Sequence, residues 1–219
     1  MVAFIIAYIL MLFAYYYTRT SGKMHLRAPN KVILATMYFV FAVVQFQTNY
    51  ELLSYHLLLM VALFLAWMGD VFLMFDFNRG GDFFLCGNIC FFTYELVACI
   101  EQGHKLSDFW WIIPLTVILV GLFALFAHRY PDTLKLGKMK WPMTLYLTSI
   151  TLHGLMGLAL TILLPGSKLA LMGLGSLLFM ISDYILTVDR FIILNNKWIV
   201  RSNSTFYFIG LLLIVLSMA

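Results

Sequence analysis

Eight long apolar segments constrain this chain more than any other feature of its sequence. They lie at about residues 2–17, 32–48, 54–75, 83–100, 109–128, 142–164, 168–188 and 204–218. Most are close to the length of about 20 residues that crosses the hydrocarbon core of a bilayer. Because lipid offers no partner to backbone N–H and C=O groups, a spanning segment of this kind has to be helical. The sequence therefore predicts an all-α, polytopic membrane helix bundle of eight transmembrane helices, forming a single membrane domain over residues 1–219.

The composition of the chain excludes an ordinary soluble domain. Hydrophobic residues make up 63% of the sequence and charged residues 11%, whereas soluble domains are about 25% charged. The net charge is +4, and the basic residues lie in short loops beside the spans, where anionic lipid headgroups are the natural partner. We therefore expect membrane lipids, and no nucleic acid, as partners.

The basic residues divide unequally between the two sets of loops. The loops after the first, third, fifth and seventh segments contain 12 of the 14 Lys and Arg residues, and the other loops contain only Lys105 and Lys168. Under the positive-inside rule, the basic loops face the cytoplasm. The sequence therefore predicts non-cytoplasmic N- and C-termini, with the cell (plasma) membrane as the location.

Two aspartates lie inside apolar segments in closely similar surroundings. The pattern [Gly/Ser]-Asp-x-x-Leu-x-x-Asp occurs from Gly69 to Asp76 on the third segment and from Ser182 to Asp189 on the seventh. An acid inside a membrane helix costs about 2.5–3.5 kcal/mol and usually serves a function. A separation of four segments gives both helices the same direction, which predicts a 4 + 4 parallel internal duplication with halves 1–107 and 108–219.

The duplication also predicts where these acids lie. Asp70 and Asp183 come five or six residues before the predicted cytoplasmic ends of their helices, about 8 Å deep at 1.5 Å per residue. We expect both to be buried, with their carboxyls within about 10 Å of each other, while Asp76 and Asp189 reach water. The alternative is that each buried carboxylate makes only a structural bond to a neighbouring Ser, Tyr or Lys.

Further polar residues are predicted to line a pocket beside the two aspartates. They are Lys31, Asn88, Tyr146, Arg190 and Tyr207. The tyrosines are alternatively interfacial anchors, and Asn88 is alternatively an interhelical hydrogen bond. Glu95 and His153 either form the floor of the pocket or satisfy each other within the bundle.

No motif for a metal or cofactor occurs in the sequence. It contains no phosphate-binding glycine loop, no zinc-ligand spacing and no Gly-x-Ser-x-Gly elbow. Cys86, Cys90 and Cys99 share the fourth segment with no His or acid at ligand spacing, and we interpret them as helix-packing residues. We therefore expect neither a metal nor a cofactor.

A set of short motifs follows one order along most of the chain. They are Gly69-Asp70-x-x-Leu73, Phe83-Phe84-Leu85, Trp141-Pro142, the segment from Gly175 to Asp183, and Tyr207. In this order the motifs resemble the YhhN-like family of integral-membrane lysoplasmalogenases. The resemblance implies a cofactor-free hydrolase that cleaves the vinyl-ether bond of lysoplasmalogens to a fatty aldehyde and glycerophospho-ethanolamine or glycerophospho-choline. It places Asp70 and Asp183 at the family's acidic positions and Lys31 at its basic position.

Two buried carboxyls also suit this reaction on chemical grounds. Vinyl-ether hydrolysis protonates a carbon and builds an oxocarbenium-like cation, which one protonated and one ionised carboxyl can serve, as they do in glycosidases. The lipid phosphate is expected among Lys31, Arg27, Arg79 and Arg190. Two other functions fit the same features. One is a proton-coupled transporter or a lipid-binding membrane protein without hydrolase activity, and the other is a scaffold whose acids only hold helices together.

Overall fold

The computed structural model describes residues 1–20, 24–51, 54–130, 134, 136–193 and 196–219. Within these residues the protein consists of eight α-helices and two short 3-10 helices, Leu106–Phe109 and Gly137–Met139, with no β-strand. The α-helices are α1 (Val2–Thr20), α2 (Met24–Asn49), α3 (His56–Phe72), α4 (Phe77–Glu101), α5 (Ile112–Arg129), α6 (Lys140–Leu163), α7 (Lys168–Phe191) and α8 (Lys197–Leu216). The predicted all-α bundle of eight helices is confirmed.

Most of these helices are long enough to cross a bilayer. In the described part of the chain, seven have the length and apolar composition of membrane spans. The shorter one is α3, whose 17 residues extend about 25 Å at 1.5 Å per residue. Spanning helices begin at about this length. The protein is an integral membrane protein.

The connection between α3 and α4 differs from the prediction. The third apolar segment was expected to be helical to residue 75, but α3 ends at Phe72 and α4 already begins at Phe77. Asp76 accounts for this early start, because its Oδ1 accepts hydrogen bonds from the backbone N–H groups of Asn78 at 2.9 Å and Arg79 at 3.4 Å. An aspartate in this arrangement caps the first turn of a helix. Asn88 consequently lies in the middle of α4 and not near its start.

A second cap shifts the start of α8. The Asn196 side chain accepts hydrogen bonds from the backbone N–H groups of Trp198 and Ile199, so α8 begins at Lys197, seven residues before the predicted start at residue 204. The cap satisfies donors that the first helical turn would otherwise leave unpaired. Tyr207 is therefore also a mid-helix residue.

The chain divides into two compact units. The first comprises residues 1–87 with 218–219, and the second comprises residues 88–217. In the first unit α1 packs on α2 and α2 packs on α3. Its core contains the fully buried side chains of Tyr8, Leu34, Tyr38 and Leu63. The predicted repeat halves, 1–107 and 108–219, stay a prediction.

Glycines bring the helices of the second unit close together. Its neighbouring pairs are α5 with α6, α6 with α7, and α7 with α8. A Cβ atom at Gly175 would lie 2.5 Å from the Gly210 carbonyl oxygen, and one at Gly157 would lie 2.6 Å from the Cβ of Ser176. Small residues permit this approach of helix backbones in a membrane. The polar side chains of α6 and α7 are thereby brought within hydrogen-bonding range of each other.

Candidate active site

Asp70 belongs to a buried polar cluster in the first unit. Its side chain is only 1% exposed. Lys31 Nζ lies 2.9 Å from Asp70 Oδ1, and the Tyr38 hydroxyl donates a hydrogen bond to Oδ2 at 3.4 Å. Tyr8, fully buried on α1, interacts electrostatically with the same carboxylate. We call Lys31, Tyr38 and Asp70 the Asp70 cluster.

The helical repeat explains how this cluster forms. Lys31 and Tyr38 are seven residues apart on α2, which is about two helical turns, so both side chains lie on the helix face that carries them to Asp70. The Lys31 side chain is 17% exposed, and its long stem lets the ammonium reach the buried carboxylate. The cluster therefore places a negative charge in the interior together with a cation that compensates it.

Asp183 has a tyrosine partner of the same kind in the second unit. Its side chain is 3% exposed on α7, and the Tyr146 hydroxyl on α6 donates a hydrogen bond to Asp183 Oδ2. We call Tyr146 and Asp183 the Asp183 cluster. In each unit, a tyrosine on one helix bonds an aspartate on the next helix in the chain, α2 with α3 and α6 with α7. The internal duplication stays a prediction.

Asp70 and Asp183 were predicted to lie equally far from the ends of their helices, and this prediction is wrong. Asp70 lies two residues before the end of α3, whereas Asp183 lies eight residues before the end of α7. The difference arises because α3 ends at Phe72, before its predicted end at residue 75, while α7 continues to Phe191, past its predicted end at residue 188. The expected burial of Asp70 and Asp183 is confirmed. The expected distance between their carboxyls stays a prediction.

The outer aspartates differ in their exposure. Asp76 is 45% exposed at its side chain and pairs with Arg79 Nε at 3.5 Å, while its contact with water stays a prediction. Asp189, near the end of α7, is partly buried, and its Oδ1 atom is inaccessible. The Arg79 side chain is 72% exposed. The Arg27 side chain, another predicted phosphate contact, lies outside the described residues.

Three other predicted site residues occupy distinct positions in the second unit. Asn88 is buried and donates a hydrogen bond from Nδ2 to Ser149 Oγ at 3.4 Å. This is the kind of interhelical hydrogen bond that the alternative interpretation of Asn88 expected. Tyr207 is buried within α8 and meets Phe179 edge to face, with ring centroids 5.1 Å apart. This burial contradicts the alternative role of Tyr207 as an interfacial anchor. Arg190 is exposed in the last turn of α7.

Glu95 and His153 form a separate cluster with Ser176. All three side chains are fully buried. Glu95 Oε1 lies 3.5 Å from His153 Nε2 and 2.5 Å from Ser176 Oγ. The expected contact between Glu95 and His153 is therefore present, and Ser176 on α7 is an additional partner. We call these three residues the Glu95 cluster.

Two contributors were missed by the sequence analysis although helical spacing could have found them. Tyr38 follows Lys31 by seven residues, which marks it for the same face of α2. Ser176 precedes Asp183 by the same interval on α7. A search for polar residues at intervals of seven from each predicted site residue would have included both.

The arrangement can hold and move protons. A carboxylate beside an ammonium and a carboxyl beside a phenol are groups that accept and donate protons in enzymes. Within the described residues, no group of three or more His, Cys, Asp and Glu side chains is placed to hold a metal ion.

A sequence profile assigns the chain to a family. The profile of the YhhN family matches residues 30–218, a range that contains Lys31, Asp70 and Asp183. No curated protein matches the chain. No solved structure matches it. Because the profile covers nearly the whole sequence, the chain belongs to the YhhN family.

Proposed function

We propose that the protein is a membrane lysoplasmalogenase. It hydrolyses the vinyl-ether bond of lysoplasmalogens, releasing a fatty aldehyde and glycerophospho-ethanolamine or glycerophospho-choline. Membership of the YhhN family supports this activity. The observation that carries the proposal is the presence of two aspartates, 1% and 3% exposed, each bonded by a tyrosine hydroxyl inside apolar helices. Buried carboxyls of this kind are the acid/base groups that vinyl-ether hydrolysis requires.

The proposal gives the two aspartates different roles. Asp70 is the ionised member, because it forms an ion pair with the Lys31 ammonium at 2.9 Å. The reaction also needs a proton donor, so that role falls to Asp183. Two carboxyls whose surroundings differ in this way can act as acid and base at the same pH.

In the proposed reaction Asp183 transfers its proton to the β-carbon of the vinyl ether. The π electrons of the double bond form the new C–H bond, and the positive charge spreads over the ether oxygen and its carbon. Asp70 stabilises this cation and then takes a proton from the water that attacks it, which forms a hemiacetal. In the collapse of the hemiacetal, Asp183 takes the hydroxyl proton as the aldehyde C=O bond forms, the bond to the glycerol oxygen breaks, and Asp70 gives its proton to that oxygen. One water is consumed, and both carboxyls return to their starting states.

Substrate binding is proposed to use the polar groups near the acids. Arg190 contacts the phosphate, because it is exposed at the end of α7, the helix that carries Asp183. Tyr146 holds Asp183, while Asn88 and Tyr207 line the substrate's path. Lys31, with its ammonium already paired to Asp70, contributes less to phosphate binding than its sequence position indicates. We also propose a plasma-membrane location with both termini outside the cytoplasm.

The test is aldehyde release from lysoplasmenyl-ethanolamine by the purified protein. Asp70→Asn and Asp183→Asn keep the side-chain shape but remove the acid, so each should lower turnover by at least about 10². The double variant should be scarcely slower than the weaker single variant, because the two groups act as one unit. Asp76→Asn is the matched control. It removes an acid from the same motif while asparagine still caps α4, and it should keep the wild-type rate.

The structural alternative for the aspartates makes the opposite prediction. Bonds from Lys31, Tyr38 and Tyr146 would also form if the acids only held helices together. In that case both asparagine variants that remain folded should release aldehyde at the wild-type rate. That result would remove the acid/base mechanism.

A proton-coupled transporter is the second candidate function. The observation that favours it is the Glu95 cluster, a third buried acid that vinyl-ether hydrolysis does not use. Buried acids in membrane helices are typical of proton-coupled carriers. If wild-type protein releases no aldehyde, and substrate uptake into vesicles acidifies or alkalises their lumen, the carrier function replaces the hydrolase.

A further inference from the structure

The Glu95 cluster lies inside the second unit and has no part in the proposed hydrolysis. Glu95 on α4, His153 on α6 and Ser176 on α7 are each 0% exposed. We propose that these three side chains form a proton-binding site in the membrane interior. Glu95 carries the proton at rest, and His153 is its acceptor.

The hydroxyl of Ser176 holds the Glu95 carboxyl in place. Ser176 Oγ donates a hydrogen bond to Glu95 Oε1 at 2.5 Å and lies 3.2 Å from the Met172 carbonyl oxygen. A hydroxyl has one proton, and the shorter contact is the one to Glu95. Either oxygen of a protonated carboxyl can carry the proton while Oε1 accepts this bond.

The charges around Glu95 indicate that it is protonated. In the described part of the chain, the only basic side chain within ion-pairing distance of Glu95 is His153. On α4 itself the Cys99 thiol interacts with Glu95, and α7 contributes the neutral Ser176. A carboxylate in an apolar interior without a permanent cation takes up a proton in preference to remaining charged. Glu95 is therefore a neutral acid at rest.

His153 is positioned to receive this proton. Its Nε2 lies 3.5 Å from Glu95 Oε1, and neither ring nitrogen has a hydrogen-bond partner within the described residues. Phe91 stacks on the imidazole with centroids 4.7 Å apart, and Phe179 meets it edge to face at 5.7 Å. The two rings fix the plane of the imidazole. A neutral imidazole held beside an acid can accept its proton.

The transfer step balances without any further reactant. The O–H bond of Glu95 breaks, an N–H bond forms at His153 Nε2, and the products are a carboxylate and an imidazolium. The net charge of the cluster is zero before and after, so the transfer adds no net charge to the membrane interior. Glu95 Oε2 and His153 Nδ1 also lack hydrogen-bond partners in the described structure. They are the positions through which the proton exchanges with water that enters the unit.

This site is distinct from the Asp183 cluster. Ser176 and Asp183 are seven residues apart on α7, which is about 10 Å along the helix axis. The proposal does not depend on lysoplasmalogenase activity, because it concerns the protonation of Glu95 in the resting protein. It can be tested without any substrate.

The test is infrared difference spectroscopy of the full chain in phosphatidylcholine vesicles at neutral pH. The spectrum of wild type minus Glu95→Gln should contain the C=O stretch of a protonated carboxylic acid. In D₂O this band should move to lower frequency, because a bound proton exchanges. If the difference contains carboxylate stretches, Glu95 is ionised and the proposal is wrong. A carboxylic acid band that never shifts in D₂O would also overturn it, since it would belong to a locked structural acid.

Two further variants make the test independent of the folding of Glu95→Gln. Ser176→Ala should leave the carboxylic acid band in place but change its frequency, because the 2.5 Å contact is lost. Ser149→Ala is the control, since its hydroxyl bonds Asn88 instead, and it should leave the band unchanged.

His153→Phe keeps an aromatic ring but removes the proton acceptor. The carboxylic acid band should persist and its exchange in D₂O should slow at least about tenfold, which corresponds to about 1.4 kcal/mol in the barrier. If exchange in His153→Phe is as fast as in wild type, His153 is not the acceptor and the proposal fails.

Discussion

The ion pair between Lys31 and Asp70 allows the most direct test of the first unit. Lys31→Met removes the ammonium but keeps a long apolar stem, so the carboxylate of Asp70 loses the cation at 2.9 Å. Removing one partner of a buried ion pair costs about 3–5 kcal/mol, because the remaining charge is uncompensated. Tyr38 still donates a hydrogen bond to Asp70 at 3.4 Å. We therefore expect the free energy of unfolding to fall by about 3 kcal/mol, the lower end of that range.

Replacing Asp70 instead of Lys31 should lower the free energy of unfolding by a smaller amount. Asp70→Asn leaves Lys31 without its anion, but that side chain is 17% exposed and can extend toward the lipid headgroups. We expect a loss of about 1.5 kcal/mol, the lower end for a bond to a charged group. The double variant buries no charge and should be about as stable as Asp70→Asn. The resulting coupling energy is about 3 kcal/mol, at the upper end of the range for interacting residues.

Unfolding by denaturant in detergent micelles, followed by tryptophan fluorescence, measures these free energies. Arg79→Met is the matched control, because Arg79 also pairs with an aspartate, at 3.5 Å, but the two side chains are 72% and 45% exposed. An exposed pair should contribute less than about 1 kcal/mol. If Lys31→Met costs no more than Arg79→Met, or if the two single losses in the cycle simply add, the buried ion pair does not exist as described.

Three other predictions concern the second unit and the topology. Tyr146→Phe removes a hydrogen bond of about 0.5–1.5 kcal/mol to Asp183, the proposed proton donor, and should slow aldehyde release by up to about tenfold. Tyr184→Phe loses only a 2.8 Å contact with a threonine and should keep the wild-type rate. Gly175→Ala places a methyl group 2.5 Å from a carbonyl of α8 and should lower the free energy of unfolding by about 1–3 kcal/mol. Gly121→Ala has nothing within 4 Å and should raise it by up to about 1 kcal/mol. A reporter active only in the cytoplasm should give no signal when fused to Ala219, and a strong signal there would reverse the predicted topology.

The existence of the helices could be predicted from the sequence because it depends on a local property. An apolar run of sufficient length has to be helical in lipid, whatever packs against it. The ends of the helices are different, because a cap is a contact between one side chain and a few backbone donors. Asp76 and Asn196 move the starts of α4 and α8 by several residues, and hydropathy does not detect them. These shifts placed Asn88 and Tyr207 near helix ends in the prediction and near helix centres in the structure.

The buried acids were predictable, but their partners were only partly so. Asp70 and Asp183 are conspicuous because carboxyls are rare in apolar segments. Lys31 and Tyr38 could be placed on one face of α2 from their spacing, yet the rotation of α2 relative to α3 decides that this face meets Asp70. The contact between Glu95 and Ser176 joins residues 81 positions apart. No sequence period relates α4 to α7, so such a contact follows only from the packing of the helices.

The difference between the two aspartate clusters argues for an acid/base role over a purely structural one. The tyrosine hydroxyl found in both units suffices to hold a buried carboxyl by hydrogen bonding. Lys31 adds a charge to the Asp70 cluster, which fixes Asp70 as a carboxylate at the cost of desolvating an ammonium. Helix packing does not require that addition, since a neutral, hydrogen-bonded carboxyl would hold the helices together with less desolvation. A reaction that needs one ionised carboxyl does require it, so the position of Lys31 favours chemistry at Asp70.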